Sequence, residues 1–284
     1  MAVIQDAALT PDHAGPVRRR VNLVSFLHRQ EVWLSILALA AFLASWEWGP
    51  PLLGIAPYNI PQMSAVWSEG LHMWAHGDLL RHTMITCMEV IIGFALGCAM
   101  GAIIGYALGM SRLLEAVASP YILALQIAPK VAFAPLFVMW FGYNITPRIL
   151  TAVLIVFFPV LINVLTAVRS VDPAMIDLAR LFRASRAQIF WKIEFPWSMP
   201  ALFSGLRIGA TLAVIGVTVA ELVGGNVGLG AVLAESEGQA NTAAVFVTII
   251  LLTLIGILAY VLVILAERMV LRYAPQRSAD DIGV

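Results

Sequence analysis

The 284 residues carry 17 basic and 17 acidic side chains, so the formal net charge is zero, while 61% of the chain is hydrophobic and the mean hydropathy is +0.89. An average soluble domain is about half apolar and about a quarter charged; with 12% charged residues, this chain has more apolar surface than a soluble core can hide. The neutral balance, with no basic stripe interleaved with aromatics, leaves no footprint for nucleic acid.

The chain therefore reads as an all-α membrane protein of about six transmembrane helices. In chain order, apolar runs long enough to cross a hydrocarbon core of ~30 Å lie near residues 32–48, 83–109, 116–140, 148–168, 198–221 and 243–266. The first follows Arg18, Arg19, Arg20 and Arg29 and closes on the small residues Ala44 and Ser45, as a signal peptide would. Its 31-residue leader is long for that role, and we read the run as a retained anchor. The second carries Gly93, Gly97, Gly101, Gly105 and Gly109, a small residue at every fourth position that lets another helix approach closely, from this chain or from a twin. Cys87 and Cys98 lie in the same run, roughly 16 Å apart along a helix, too far to pair. Pro129 breaks the third run.

Charge placement orients the spans. With the N-terminus inside, 13 of the 17 Lys and Arg fall in inner segments, Arg81 and Arg148 fall outside, and Lys130 and Arg207 lie within spans. Basic residues stay cytoplasmic, so both termini are expected inside. The organisation that follows is a cytoplasmic segment 1–31, a transmembrane domain 32–268 and a cytoplasmic tail 269–284. Two connections are too long for simple turns. Outside, residues 49–82 are rich in Pro, Trp and Tyr and suit a segment lying in the interface. Inside, residues 169–197 hold a charged, helix-prone stretch: Asp172 is expected as N-cap with Pro173 at the first helical position, and Pro196 past the helical end.

Ionisable residues inside spans are expensive and face the bundle interior or water. The candidates for a pathway or gate are Glu89, Gln126, Lys130, Arg207 and Glu221. Lys130 suits attraction of an anionic or polar solute, and equally a structural role as partner of Glu89 or of a helix C-terminus. Arg207 suits snorkelling or a structural pair better than solute contact. Glu221, followed by Gly224-Gly225 and Gly228-Leu229-Gly230, reads as a brace for an outer gate or as a polar loop boundary.

No enzyme signature is present: no phosphate loop, no H-E-x-x-H and no G-x-S-x-G. The histidines are scattered, and His72, His76 and His82, all in the outer region, read as solvated surface, not as metal ligands. No catalytic residue, metal or cofactor is expected in the chain itself.

The inner loop carries a family resemblance. Asp177-Leu178-Ala179, then Arg183, then Phe190-Trp191-Lys192-Ile193-Glu194-Phe195-Pro196 with Pro200 resembles the E-A-A, G and F-x-x-I-x-L-P-x-x-x-P signature of permease subunits of bacterial ATP-binding-cassette importers. Gly205-Leu206-Arg207-Ile208 and Glu221-Leu222 continue the likeness. Pro129-Lys130-Val131-Ala132, Pro135-Leu136-Phe137 and Trp140-Phe141-Gly142 are similar to the nitrate, sulfonate and taurine branch, and the first of these also to relatives handling pyrimidine precursors of thiamine. The similarity covers roughly residues 60–270.

The resemblance implies a permease subunit in a bacterial inner membrane, with a cytoplasmic coupling helix between spans four and five. Asp177, Leu178, Ala179, Phe182, Arg183, Ala184, Ser185 and Arg186 would dock it onto a separate ATPase that binds ATP and Mg. A second permease copy and a periplasmic or lipid-anchored solute-binding protein are implied too. The residue types suit docking: small Ala179, Ala184 and Ser185 permit close approach, Leu178, Leu181 and Phe182 offer an apolar face, and Arg180, Arg183 and Arg186 suit acidic partners. A basic amphipathic helix on anionic lipid is the plainer alternative. Asp177 stands where the signature has Glu, and Arg183 where it has Gly; if that Gly makes a tight turn, Arg183 is strained unless the backbone there stays helical. The competing function, a self-sufficient secondary transporter or channel, calls for inverted repeats and more intramembrane carboxylates than Glu89.

Overall fold

The computed structural model describes residues 23–271, and every regular element among them is a helix. Residues 1–22 and 272–284 lie outside the described residues, and with them most of the expected cytoplasmic segment and tail. The chain divides into two units, 1–54 and 55–284. In the first, α1 (Leu23–Leu52) contains an apolar stretch, Val32–Leu52, long enough to span a membrane.

The second unit runs through α2 (Met63–His76), α3 (Leu79–Gly109), α4 (Arg112–Ile127), a 3₁₀ turn (Lys130–Ala132), α5 (Phe133–Phe141), α6 (Ile145–Arg169), α7 (Pro173–Leu181), α8 (Arg186–Ile189), a π turn (Phe190–Glu194), α9 (Phe195–Gly224), α10 (Leu229–Gly238) and α11 (Thr242–Val270). Five of the six expected spans are unbroken helices. The third is two, α4 and α5 with the 3₁₀ turn, bent by 76° where Pro129 interrupts the backbone.

The centre of the unit is the trio α3, α6 and α9. The glycine stripe of α3 packs on α6 of the same chain: Gly93 on Ala152, Gly97 on Val156, Gly101 on Val160, Gly105 on Val164 and Gly109 on Val168. At Gly101 a Cβ would stand 2.6 Å from the Phe157 carbonyl oxygen, and at Gly93 2.5 Å from the Ala152 Cβ. The two backbones therefore approach to a distance that only hydrogen on the α-carbon allows, and β-branched Val156, Val160 and Val164 fill the seam. Cys98 is buried beside this seam and Cys87 half-buried, both as free thiols.

Side-chain caps set the other boundaries: Ser111 accepts from Leu114 N (3.3 Å), Asn144 from Thr146 N (2.7 Å) and Asn241 from Ala244 N (3.2 Å). The interface segment expected at 49–82 contains the helix α2, which buries Val66 and leaves Trp67, Leu71 and Trp74 exposed one turn apart along one face. Pro196 does not lie past a helical end. The helix continues from Arg186 to Gly224, and the π turn, in which Phe195 N bonds to Phe190 O, absorbs the proline that follows it.

Candidate functional site

The loop between α6 and α9 is built from local signals. Asp172 caps α7 by accepting from Ala174 N (2.8 Å), and Pro173 occupies the first turn, where no N–H is needed. At its end Arg183 N bonds to Arg180 O (2.8 Å) and Ala184 N to Ala179 O (3.0 Å), the two bonds of a Schellman turn. That turn requires a left-handed residue, and Arg183 supplies it with φ 55°. The backbone does not stay helical there, so the arginine is strained. Ser185 then starts α8 with a reciprocal cap: it accepts from Gln188 N (3.3 Å) while its own N–H donates to Gln188 Oε1 (2.8 Å).

Asp177, Leu178, Phe182, Arg183, Ser185 and Arg186 are exposed, and Ala179 and Ala184 half-buried at the inner side of the turn. Leu181 and Phe182 are 81% and 80% exposed, an apolar tip that no described residue covers. Arg180 is held to Asp177 (3.0 Å), leaving Arg183 and Arg186 to project. The base of the loop is anchored. Arg169 pairs with Glu115 (2.5 Å), Trp197 Nε1 donates to Ser170 Oγ (3.2 Å), and Tyr106 of α3 meets the rings of Phe190 and Phe195 and shares a 2.8 Å bond with Ser198.

At the opposite end of α6 and α9 lies a buried polar network. Glu89 pairs with Arg148 at 2.7 Å. Arg148 also donates from Nε to Asn144 O (3.1 Å) and from Nη1 to Val227 O (3.3 Å). Glu221, 0% exposed, accepts from Thr86 Oγ1 (2.7 Å) and Gly230 N (2.6 Å); Leu229 N donates to Thr86 Oγ1 (2.8 Å), and Gly228 N to His82 Nδ1 (2.9 Å). Side chains of α3, α6 and α9 thus clamp the backbone of residues 227–230, the strap that leads into α10. Gly228 has φ 104°, and a Cβ there would fall into the Glu221 carboxylate.

This arrangement bears on three earlier readings. Arg148, counted with the outer segments, is buried, because Glu89 and two carbonyls replace its water. His82 is not solvated surface either; it is half-buried on the strap. Of the two structural roles open to Lys130, partner of Glu89 or of a helix C-terminus, the second is the one observed. Its Nζ donates to Gln126 O (2.6 Å), at the C-terminus of α4, and lies 5.0 Å from the Phe158 ring centre. Gln126 is exposed at the same bend. Arg207 pairs with Glu267 of α11 (3.4 Å). The five candidates therefore fall in three places: Glu89 and Glu221 in the network, Gln126 and Lys130 at the bend, and Arg207 on α9 against α11. Thr86, His82 and Arg148 were missed, and the signal for Arg148 was the need of an intramembrane Glu89 for a cation.

The apolar spans thus keep their polar groups in ion pairs and caps, and one long helix runs from the exposed loop to the buried network. The family described as binding-protein-dependent transport system inner membrane component matches residues 93–272. This chain belongs to it, and is a membrane-spanning permease subunit of an ATP-binding-cassette importer. It is similar to the riboflavin transport system permease protein RibX of Chloroflexus aurantiacus, 36% identical over 261 residues that cover 91% of this chain and 97% of that one. The formylaminopyrimidine transport permease protein ThiX of Halalkalibacterium halodurans is 31% identical over 76% of this chain and 85% of its own. The taurine transport system permease protein TauC of Escherichia coli is 30% identical over 74% and 78%. Among solved structures, the MetNI methionine ABC transporter in its inward-facing conformations superposes with a TM-score of 0.57 at 20% identity, covering 70% of this chain and 97% of that one, a likeness of fold.

Proposed function

We propose that two copies of this permease form the pathway for a small polar organic solute. A periplasmic or lipid-anchored solute-binding protein delivers it, and two ATPase subunits, which bind the ATP and Mg, drive it. Both termini are cytoplasmic, so the α7–α8 loop meets the ATPase and the Glu221 network faces outward. The observation that carries this reading is the continuous helix Arg186–Gly224, 39 residues long, or about 58 Å at 1.5 Å per residue. One end is the docking loop and the other bears the carboxylate that holds the strap. Leu178, Leu181 and Phe182 enter an apolar groove on the ATPase while Arg183 and Arg186 meet acidic residues at its rim. Closure of the ATPases shifts α7 and α8, and the π-turn joint passes the shift to α9. The strap and α10 move away from α3 and α6 only when the bonds to Thr86, His82 and Arg148 part, so the network braces the outer gate. The names of the relatives, with riboflavin, formylaminopyrimidine and taurine, support a small organic cargo.

The test is ATP hydrolysis and solute uptake by liposomes holding the permease with its ATPase, comparing the native loop with Ala184→Glu and Arg183→Glu. Loss of co-purification and of stimulated hydrolysis is expected. Uptake with no ATPase present would replace this reading with a secondary transporter.

A further inference from the structure

The buried network deepens the gate reading, and rests on it, through a charge that its described side chains leave unbalanced. Glu89 and Glu221 are 1% and 0% exposed, and the cation that acts on both is Arg148. The other neighbours bring none: α3 adds Thr86 and His82, the strap and α10 add backbone groups, and Glu235 and Glu237 of α10 are exposed. His82 accepts from Gly228 N on Nδ1 (2.9 Å), so its ring is neutral here; a charged ring would donate from that nitrogen to Gly228 O, 3.2 Å away. Glu221 accepts from Thr86 Oγ1 and Gly230 N. Glu89 has Arg148 2.7 Å from Oε1 as a countercharge, yet neither of its oxygens receives a hydrogen bond from a described residue. The group within hydrogen-bond reach is the Glu221 carboxyl. It is set there because Thr86, which holds Glu221, lies one turn from Glu89 on the same face of α3.

Ionised carboxylates offer only lone pairs and repel each other, so two of them meet in a hydrogen bond only when one carries a proton. That proton also brings two carboxyls and one guanidinium to zero net charge, which burial demands. We propose that Glu89 and Glu221 share one proton while the strap is closed, and that opening of the outer gate releases it to the water outside. When the strap lifts, water reaches both carboxyls and each ionises; closure takes the proton back. The closed state therefore binds one proton more than the open one, and each unit rise in outer pH shifts the balance up to about tenfold toward open.

The experiment records infrared spectra of the permease–ATPase complex at neutral pH in a maltoside detergent, which has no carbonyl of its own. Ordinary Asp and Glu carboxyls are ionised there. A band of un-ionised carboxylic acid that shifts in heavy water is expected, and Glu89→Gln and Glu221→Gln should each abolish it, because either leaves one carboxylate to balance Arg148. Glutamine keeps the side-chain volume, and size-exclusion profiles confirm that the variants assemble. AMP-PNP with Mg, which closes the ATPases without hydrolysis, should remove the band from the parent complex. No such band, a band that survives in both variants, or one that AMP-PNP leaves unchanged would overturn the proposal. An ATPase that never co-purifies would overturn the permease reading and the release with it, while the band of the chain alone would still decide whether the proton is shared.

Discussion

Glu89 and Arg148 face each other almost sealed from solvent, 1% and 6% exposed at the side chain, and neither is tolerable alone in that setting. Arg148→Met should cost about 3–5 kcal/mol, because it leaves a buried carboxylate without its countercharge. Glu89→Leu together with Arg148→Met should recover most of the loss. Scanning fluorimetry of the purified chain reads both, and a single variant as stable as the parent would contradict the pair. Arg183 makes the opposite prediction. Arg183→Gly removes the strain of φ 55° and should stabilise the chain by about 1 kcal/mol, while Arg183→Ala, with its own Cβ, should bring no such gain. At this scale Glu89, Asp172 and the departure at Arg183 were legible from residue type. The partner of Glu89 was not, since counting charges at the edge of an apolar run assigns a boundary arginine to the connecting segment. Thr86 and His82 gave no signal because the groups they hold lie 135 to 146 positions away in the chain.

Helices α3 and α6 meet along a seam that tolerates no added atoms. Gly101→Val should destabilise by roughly 1–3 kcal/mol through overpacking against Phe157 and Val160. By contrast Gly238→Ala, where nothing lies within 4 Å, should be neutral. Equal thermal stability of the two variants would mean that the helices stand further apart than described. The stripe was readable as a close-packing face, but its partner was not: small residues at every fourth position say that something approaches, not what. The bend at Pro129 was expected as a break, and its 76° angle comes from tertiary packing of α5 on α6 and α9. The π turn escaped notice because one extra residue in a helical turn leaves the apolar pattern on either side intact.

Across the whole molecule, the α7–α8 loop and the strap adjoin the two ends of one helix, so under the proposed mechanism a lesion at the strap is felt as lost coupling rather than lost assembly. In Thr86→Val and Glu221→Ala the ATPase should still co-purify, while uptake driven by ATP falls roughly tenfold or more, the scale of lost hydrogen bonds to a charged group. Uptake at the parental rate in both would remove the network from the gate. The number, order and type of the spans were legible because bilayer thickness imposes them on any chain. The strap was not, because it is held by backbone groups that carry no side-chain signature.

The contact between Gly93 and Ala152 also limits how related chains diverge. A single methyl group occupies that crossing, carried by α6. Gly93→Ala alone would set two methyls in one space, whereas Ala152→Gly alone leaves a small gap that a later Gly93→Ala refills from the other side. The residue pair can exchange its members at least cost in one order, with Ala152→Gly first and Gly93→Ala second, so that glycine stands at both positions in between.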